Sequence, residues 1–166
     1  MFDGKNYIET PLERLLLGVD SGESKLPKEK IMKVGKYPVV TQEASGLITG
    51  FTDEEISIKD YPLILFGDHS CSFKYIDFEF VRGADGTQLI KVDTENINLL
   101  YLYYFLLSIN IENSEKYERH FKYLKKTRIP LPPKDLQDEF ASYVEEIDKL
   151  KFAIYRKNTP AKTRRG

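Results

Sequence analysis

Four consecutive residues carry side chains that could support nucleophilic or general-base chemistry, namely Asp68, His69, Ser70 and Cys71. A catalytic triad is assembled in space, however, and adjacent residues rarely converge on one point. Two histidines and one cysteine are also too few for a structural zinc site. The sequence therefore favours a loop at the end of a strand that orients side chains toward a ligand, rather than a catalytic cluster.

The sequence lacks the motifs that hold nucleotide cofactors or build a hydrolase. Segment 83–86 has neither the spacing nor the context of a glycine-rich phosphate loop. An adenine methyltransferase would carry Asp/Asn-Pro-Pro-Tyr/Phe, but the adjacent Pro132 and Pro133 follow Leu131 and precede Lys134. No nucleophile elbow is present. We therefore expect a chain with no catalytic residue, metal or cofactor of its own.

Length and composition indicate one globular domain with an appended element. The chain has 166 residues, of which 41% are hydrophobic. Its longest apolar run, residues 99–107, is too short to cross a membrane, and its first residues do not follow a signal-peptide pattern. The single cysteine, Cys71, excludes an internal disulfide and fits a reducing compartment. We expect a cytoplasmic protein.

Charge is distributed in blocks along the chain, although the formal net charge is only −1. Residues 25–36 carry five lysines and one glutamate, and residues 37–70 carry six acidic groups and one lysine. Residues 97–133 are again basic. A basic surface is therefore compatible with a net charge near zero. The lysines of 25–36 could either keep a loop soluble or face phosphates.

The basic and aromatic segment 116–128 is the best candidate for contact with a polyanion. On a helix, Arg119, Lys122 and Lys126 would fall within roughly 60° of one another, opposite an apolar side that includes Leu124. A solvated surface helix is the alternative interpretation. The candidates for phosphate contacts are Lys116, Arg119, Lys122, Lys125 and Lys126.

A proline-rich segment and a patterned helix follow. Ile129–Pro133 cannot continue a helix, because proline lacks an N–H donor and restricts the preceding residue, and we expect it to act as a rigid hinge. The following apolar residues recur at alternating steps of four and three, as in a coiled coil or a helix docked lengthwise on a partner. They are Leu136, Phe140, Tyr143, Ile147, Leu150 and Ile154. A pattern of about three heptads is marginal in isolation, so this helix needs another helix to cover it.

Strand and helix signals between residues 37 and 110 predict the fold class. Tyr37–Thr41, Tyr61–Phe66, Cys71–Phe80 and Gln88–Val92 have the composition of strands, and Tyr61–Phe66 is apolar on both faces, as in a central strand. Asn98–Asn110 is apolar nearly all round, which predicts a buried helix. The chain is predicted to be α/β of the mixed α+β type. A globular domain with a mixed sheet and a buried helix would be followed by a C-terminal coiled-coil-type helix.

Polar side chains near the ends of these strands could form hydrogen bonds with base edges, although such residues also occur in ordinary turns. The candidates are Thr41, Gln42, Ser45, Ser70, Lys74 and Arg82.

Several segments, taken in order, resemble the DNA-specificity subunit of type I restriction-modification systems. They are Tyr37–Gln42, Gly67–His69, Leu102–Leu106, Arg119–Lys122 and Ile129–Gln137. The proline-rich segment followed by Leu-Gln and a long helix is fairly specific, and the ordered set is more specific still. The resemblance covers nearly the whole chain.

The resemblance implies a non-catalytic target-recognition domain that reads one half of a bipartite site in double-stranded DNA. Residues 1–133 would form this domain, residues 134–157 the spacer or dimerisation helix, and residues 158–166 a tail. In the family, long helices recruit the methyltransferase subunit and, indirectly, the restriction subunit. S-adenosylmethionine would be bound by the methyltransferase subunit, and no membrane partner is implied.

The length departs from the family, because a full specificity subunit has two recognition domains. This chain could be a natural half-subunit that forms a homodimer through its C-terminal helix, a truncated product or a fragment. The competing hypothesis is a protein-interaction module, or a modulator of a restriction complex, whose helix pairs with another chain while the domain never touches DNA. Neighbouring methyltransferase and restriction genes would favour DNA recognition.

Overall fold

The computed structural model describes residues 7–18, 24–84, 86–109, 111 and 120–158, and in these ranges the chain forms eight β-strands and three α-helices. The strands are β1 (Ile8–Pro11), β2 (Tyr37–Val40), β3 (Gly50–Thr52), β4 (Leu63–Gly67), β5 (Phe73–Ile76), β6 (Val81–Arg82), β7 (Thr87–Ile90) and β8 (Arg128–Leu131). The helices are α1 (Leu99–Ser108), α2 (His120–Leu124) and α3 (Lys134–Asn158). The predicted mixed α+β class with a C-terminal helix is confirmed.

Strand β4 lies at the centre of a three-stranded antiparallel sheet with the order β5-β4-β7. Every residue of β4 is buried, because its two faces contribute to two different hydrophobic clusters. Ile64 and Phe66 pack in the cluster that contains residues of α1, which we call the first cluster. Leu63 and Leu65 pack in the cluster on the opposite face, which we call the second cluster. The prediction that this apolar run is a central strand is confirmed.

A second sheet, with the order β3-β2-β6, supplies the other side of that second cluster. β2 runs antiparallel to β3 and parallel to β6, so this sheet is mixed. Val40 of β2, together with Ile58 and Phe80, packs against Leu63 and Leu65. The two sheets therefore share one apolar layer.

The proline-rich segment is a strand over most of its length, which corrects the expectation of a hinge. Residues 128–131 form β8, which pairs antiparallel with β1 and places Pro130 opposite Glu9. Proline is compatible with this position because, in a two-stranded sheet, each strand has one unpaired edge that requires no N–H donor. Pro132 and Pro133 alone separate β8 from α3.

Helix α1 covers the first cluster. The side chain of Asn98 caps its N-terminus by accepting hydrogen bonds from the N–H groups of Leu100 and Tyr101. Leu102 and Leu106 are fully buried, while Leu107 near the end of the helix is 47% exposed. The helix predicted over 98–110 is confirmed, with its buried side set by the sheet below it.

The first turns of α3 dock on α1. The Oε1 atom of Gln137 accepts a hydrogen bond from the Asn98 N–H (2.8 Å), and its Nε2 donates to the Pro132 carbonyl (2.8 Å). Asp138 accepts hydrogen bonds from Asn98 Nδ2 (2.7 Å) and from Lys134 Nζ (2.7 Å). Lys134 first, and then Asn98, lowers the pKa of the Asp138 carboxyl. The direction in which α3 leaves the domain is fixed by this polar junction.

Candidate DNA interface

The ends of β2, β4 and the beginning of β7 meet at one end of the domain. The Gly83 N–H donates to the Val40 carbonyl (2.9 Å), and the Asp68 N–H donates to the Gly86 carbonyl (2.6 Å). The turns that these bonds bring together comprise residues 41–43, 68–72, 83–84 and 86, and we call them the polar end. Most of the base-contact candidates from the sequence lie in or beside it.

Gln42 connects the turn after β2 to the turn after β4. Its side-chain Oε1 accepts a hydrogen bond from the His69 N–H (3.0 Å), and its backbone carbonyl accepts one from Ser72 Oγ (3.2 Å). The carboxamide oxygen is therefore engaged inside the domain. This bond uses one of the two lone pairs of the oxygen, so a Gln42 that read adenine through its paired acceptor and donor would share that oxygen with the His69 N–H.

Asp68 holds the first turn of α2 against the polar end. Its buried carboxylate accepts a hydrogen bond from the Phe121 N–H (2.7 Å). The carbonyl of the same residue lies 2.7 Å from His120 Nδ1, so this nitrogen must be the donor. The Phe121 ring stacks on Phe66 with 6.1 Å between centroids. Asp68 and His120 thus have structural roles, and the basic residues of α2 adjoin the polar end.

The predicted phosphate contacts fall partly on this helix. Lys122 and Lys126 are exposed, and Lys125 is half-buried with its Nζ 5.6 Å from the Phe121 ring centroid. α2 ends at Leu124, so Lys125 and Lys126 lie in the following turn and not on one helical stripe with Lys122, which corrects the helical-wheel expectation. The other two candidates, Lys116 and Arg119, lie outside the described residues.

Two base-contact candidates use their polar groups within the domain. Thr41 is 8% exposed, and its hydroxyl forms a hydrogen bond with that of Thr49 (2.7 Å between the oxygens). Arg82 donates from Nε to Thr87 Oγ1 (2.9 Å) and from Nη2 to the Thr87 carbonyl. Burial lowers the pKa of the Arg82 guanidinium. Two of the five N–H donors of Arg82 are therefore used to join β6 to β7.

The remaining candidates differ in exposure. Lys74 is only 6% exposed, and among the described residues its Nζ has no hydrogen-bond partner. Burial lowers the pKa of this amine, and the charge of Glu43 partly opposes that change. Ser70 is exposed, with its hydroxyl bonded to Ser72 (2.7 Å), and Ser45 is also exposed. In this conformation Thr41 and Lys74 cannot reach a base, since their side chains are buried.

The lysine-rich segment 25–36 folds against the acidic block that follows it. Lys30 Nζ lies 2.8 Å from Glu54 Oε1, and Lys36 Nζ lies 3.1 Å from Glu55 Oε1. The Lys36 N–H also donates to Asp53 Oδ1 (2.8 Å). Two of the segment's five lysines are thereby paired within the chain, which weakens the case that they face phosphates.

The heptad residues of α3 do not all share one environment. Phe140 contacts Tyr101 and Tyr104 of α1 edge-on, at 6.1 and 6.0 Å between centroids, so it belongs to the domain core rather than to a free surface. The other five are at least 40% exposed and continue along the helix. We call these five the exposed seam: Leu136, Tyr143, Ile147, Leu150 and Ile154.

Neither a metal cluster nor a membrane span is found in the ranges that the structure describes. Within them, no three His, Cys, Asp or Glu side chains are grouped so that they could hold a metal ion. No helix there has the length and apolarity needed to cross a bilayer.

The fold is that of solved specificity subunits. It superposes on the crystal structure of a type I restriction-modification system S subunit from M. genitalium with a TM-score of 0.64 and 21% identity, over 90% of this chain and 41% of that one. A second similar structure is the HsdS subunit from Thermoanaerobacter tengcongensis, with a TM-score of 0.56 and 16% identity, over 95% and 41% of the two chains.

Sequence comparison gives the family. Residues 18–162 match the type I restriction modification DNA specificity domain, and the chain belongs to that family. It is 28% identical over 160 residues to the type I restriction enzyme EcoR124I/EcoR124II specificity subunit of Escherichia coli, covering 84% of this chain and 39% of the relative. The chain thus spans about two fifths of the length of the relatives that it matches. The resemblance noted from the sequence is confirmed.

Proposed function

We propose that this chain is a non-catalytic DNA-recognition module of a type I restriction-modification enzyme. It acts in the cytoplasm and reads one half of a bipartite site in double-stranded DNA. The observation that carries the proposal is the attachment of α2 to the polar end by Asp68. This attachment puts the exposed Lys122 beside turns rich in hydrogen-bonding groups. Cations that can contact the DNA backbone then lie on the helix next to groups that can contact base edges, as DNA recognition requires.

The phosphate contacts are assigned to the exposed cations of the basic segment. Lys122 and Lys126 carry flexible side chains free of ion pairs within the described residues, so they can approach a phosphate backbone without breaking an internal bond. Lys125, whose Nζ lies over the Phe121 ring, is a weaker candidate for a phosphate contact than these two lysines. Lys116 and Arg119 remain sequence-based assignments to the same role.

Helix α3 is assigned to partner binding. The exposed seam presents apolar side chains over about five turns, and a helix of this kind is stabilised by packing against a second helix. The partner is either a second copy of the chain or the methyltransferase subunit, through which the restriction subunit would join. The methyltransferase subunit would bind S-adenosylmethionine, and this chain would supply no cofactor.

Fluorescence-anisotropy binding to random duplex DNA across a salt series tests this proposal. A double variant, Lys122→Ala with Lys126→Ala, should reduce the slope of log K against log salt by roughly 1.8, since each phosphate contact contributes about 0.9. The matched control is Lys30→Ala with Lys36→Ala, which removes the same charge from the ion-paired segment and should leave the slope unchanged.

Two results would count against the assignment. An equal loss of slope in both double variants would mean that Lys30 and Lys36 contribute as much to DNA binding as Lys122 and Lys126. The electrostatic attraction would then be diffuse and not specific to the basic segment. Absence of DNA binding, both alone and with a methyltransferase subunit, would favour the protein-interaction module. The exposed seam supports that second candidate because its apolar surface is available whether or not DNA is bound.

A further inference from the structure

His69 is an exposed side chain of the polar end, in the turn between β4 and β5. Among the described residues neither nitrogen of its imidazole takes part in a hydrogen bond. Its neighbours differ in this respect, since the Ser70 hydroxyl and the Gln42 carboxamide oxygen are both engaged within the domain. The turn thus presents one uncommitted aromatic donor and acceptor to solvent.

The position of His69 is fixed from several sides. Gln42 Oε1 accepts its backbone N–H (3.0 Å), and the preceding Asp68 is bonded to both Gly86 and α2. Gly86 has a φ of +63°, and a β-carbon there would lie 2.6 Å from Cδ2 of the His69 ring. The ring can approach the backbone this closely because residue 86 has no side chain. The backbone of His69 is therefore held in place, and its ring lies against Gly86.

We propose that His69 is the residue through which the polar end contacts a base edge, donating one imidazole N–H to the N7 acceptor of a purine in the major groove. This assignment rests on the proposed DNA-recognition function. A planar donor held in one place suits a base edge, whose hydrogen-bonding groups have fixed directions. Long lysine side chains, such as Lys122 on the adjoining helix, suit phosphates, which can be contacted over a range of geometries.

The test combines two substitutions, one in the protein and one in the DNA. The chain, with its methyltransferase subunit if that is needed for binding, selects sequences from duplexes with a randomised central segment. Each selected purine is then replaced in turn by its 7-deaza analogue, which lacks the N7 acceptor. One replacement should weaken binding of the unaltered chain by about 2- to 12-fold, the range for loss of a single neutral hydrogen bond. The variant His69→Ala should bind both duplexes equally.

The variant Lys122→Ala is the control, because loss of a phosphate contact should weaken binding to every sequence alike and preserve the response to the 7-deaza purine. His69→Gln, which keeps a donor of similar reach, should retain part of the preference. It also provides a second test should the alanine variant lose its cooperative thermal transition. Gly86→Ala should reduce discrimination by displacing the ring.

The outcomes separate this inference from the function on which it rests. If His69→Ala responds to the 7-deaza purine as the unaltered chain does, or if the unaltered chain binds DNA without any preference, the role of His69 is refuted and DNA binding stands. If the unaltered chain binds no duplex under any condition, the proposed function fails and the role of His69 fails with it.

Discussion

The carboxylate of Asp68 should stabilise the domain measurably, because it joins α2 to the core. Asp68 is 5% exposed and accepts the Phe121 N–H at 2.7 Å. A hydrogen bond to a charged group contributes about 1.5–3 kcal/mol, whereas one between neutral groups contributes about 0.5–1.5 kcal/mol. We therefore expect Asp68→Ala to lower the free energy of unfolding by about 2 kcal/mol. Asp68→Asn, which keeps an acceptor oxygen, should lower it by about 1 kcal/mol.

Urea denaturation followed by circular dichroism measures this difference. With a slope of roughly 2 kcal/mol per molar urea, the alanine variant should have its midpoint lower by about 1 M. Asp53→Ala is the matched control, since that carboxylate also accepts a backbone N–H at 2.8 Å, from Lys36, but is exposed. Water can replace the lost acceptor there, and the midpoint should move far less.

Two results would refute this reasoning. A midpoint for Asp68→Ala that equals that of the unaltered chain would mean that α2 is held by its apolar contacts, such as the stacking of Phe121 on Phe66. A loss in Asp68→Asn as large as in Asp68→Ala would mean that the charge matters and the accepted hydrogen bond does not. Hydrogen exchange at the Phe121 amide would report the same contact directly.

Three further predictions concern other parts of the molecule. Lys74→Met should raise the free energy of unfolding at neutral pH by about 1 kcal/mol, because a buried ammonium without a described partner is costly to desolvate. Burial lowers the folded-state pKa of Lys74, so its penalty is present at low pH. Stability of the unaltered chain should rise as pH increases through that pKa toward the unfolded value of about 10.4, and this rise should be smaller in the variant in urea titrations at several pH values. Asp138→Asn should destabilise at neutral pH, because the folded pKa is depressed. The difference should disappear as pH falls from about 4 through that folded pKa, as thermal melting would show. Ile147→Asp with Leu150→Asp should abolish any self-association or methyltransferase binding in analytical ultracentrifugation without changing the thermal midpoint, since both residues are exposed.

Local patterns were sufficient to predict the elements whose burial depends on their own sequence. β4 is apolar at successive positions because both faces are covered, and α1 is apolar around most of its circumference because it lies between the first cluster and α3. The alternating spacing of four and three between the apolar residues of α3 was equally visible in the sequence. These three elements fix the core, so the fold class followed from them.

The elements that the sequence did not reveal depend on distant partners. β8 carries a proline and acquires strand geometry only by pairing with β1, about 120 residues earlier in the chain. Likewise, the sequence left open whether the lysines of 25–36 keep a loop soluble or face phosphates, because the pairing of Lys30 and Lys36 with Glu54 and Glu55 depends on the fold. Neither pairing leaves a local periodicity that could be read beforehand.

The candidate site was predicted by region but not by residue. Residue types identified Gln42, Lys74 and Arg82 as hydrogen-bonding groups, but whether such a group is free depends on what the fold places next to it. Arg82 uses two of its five donors on Thr87, and Lys74 is buried. His69 was noticed as part of a possible catalytic cluster, whereas its exposure and the lack of a partner for its ring nitrogens among the described residues emerge only in the folded chain.

The pairing of β1 with β8 brings the chain into the domain beside the point where it leaves. Ile8 lies opposite Leu131, directly before the two prolines and α3. A domain whose entry and exit strands are hydrogen-bonded to each other can be replaced by another of the same kind without moving the helix that follows. Under the function proposed above, such a module can be exchanged for another of different specificity while the helix stays unchanged, and the distance to the second half-site is preserved.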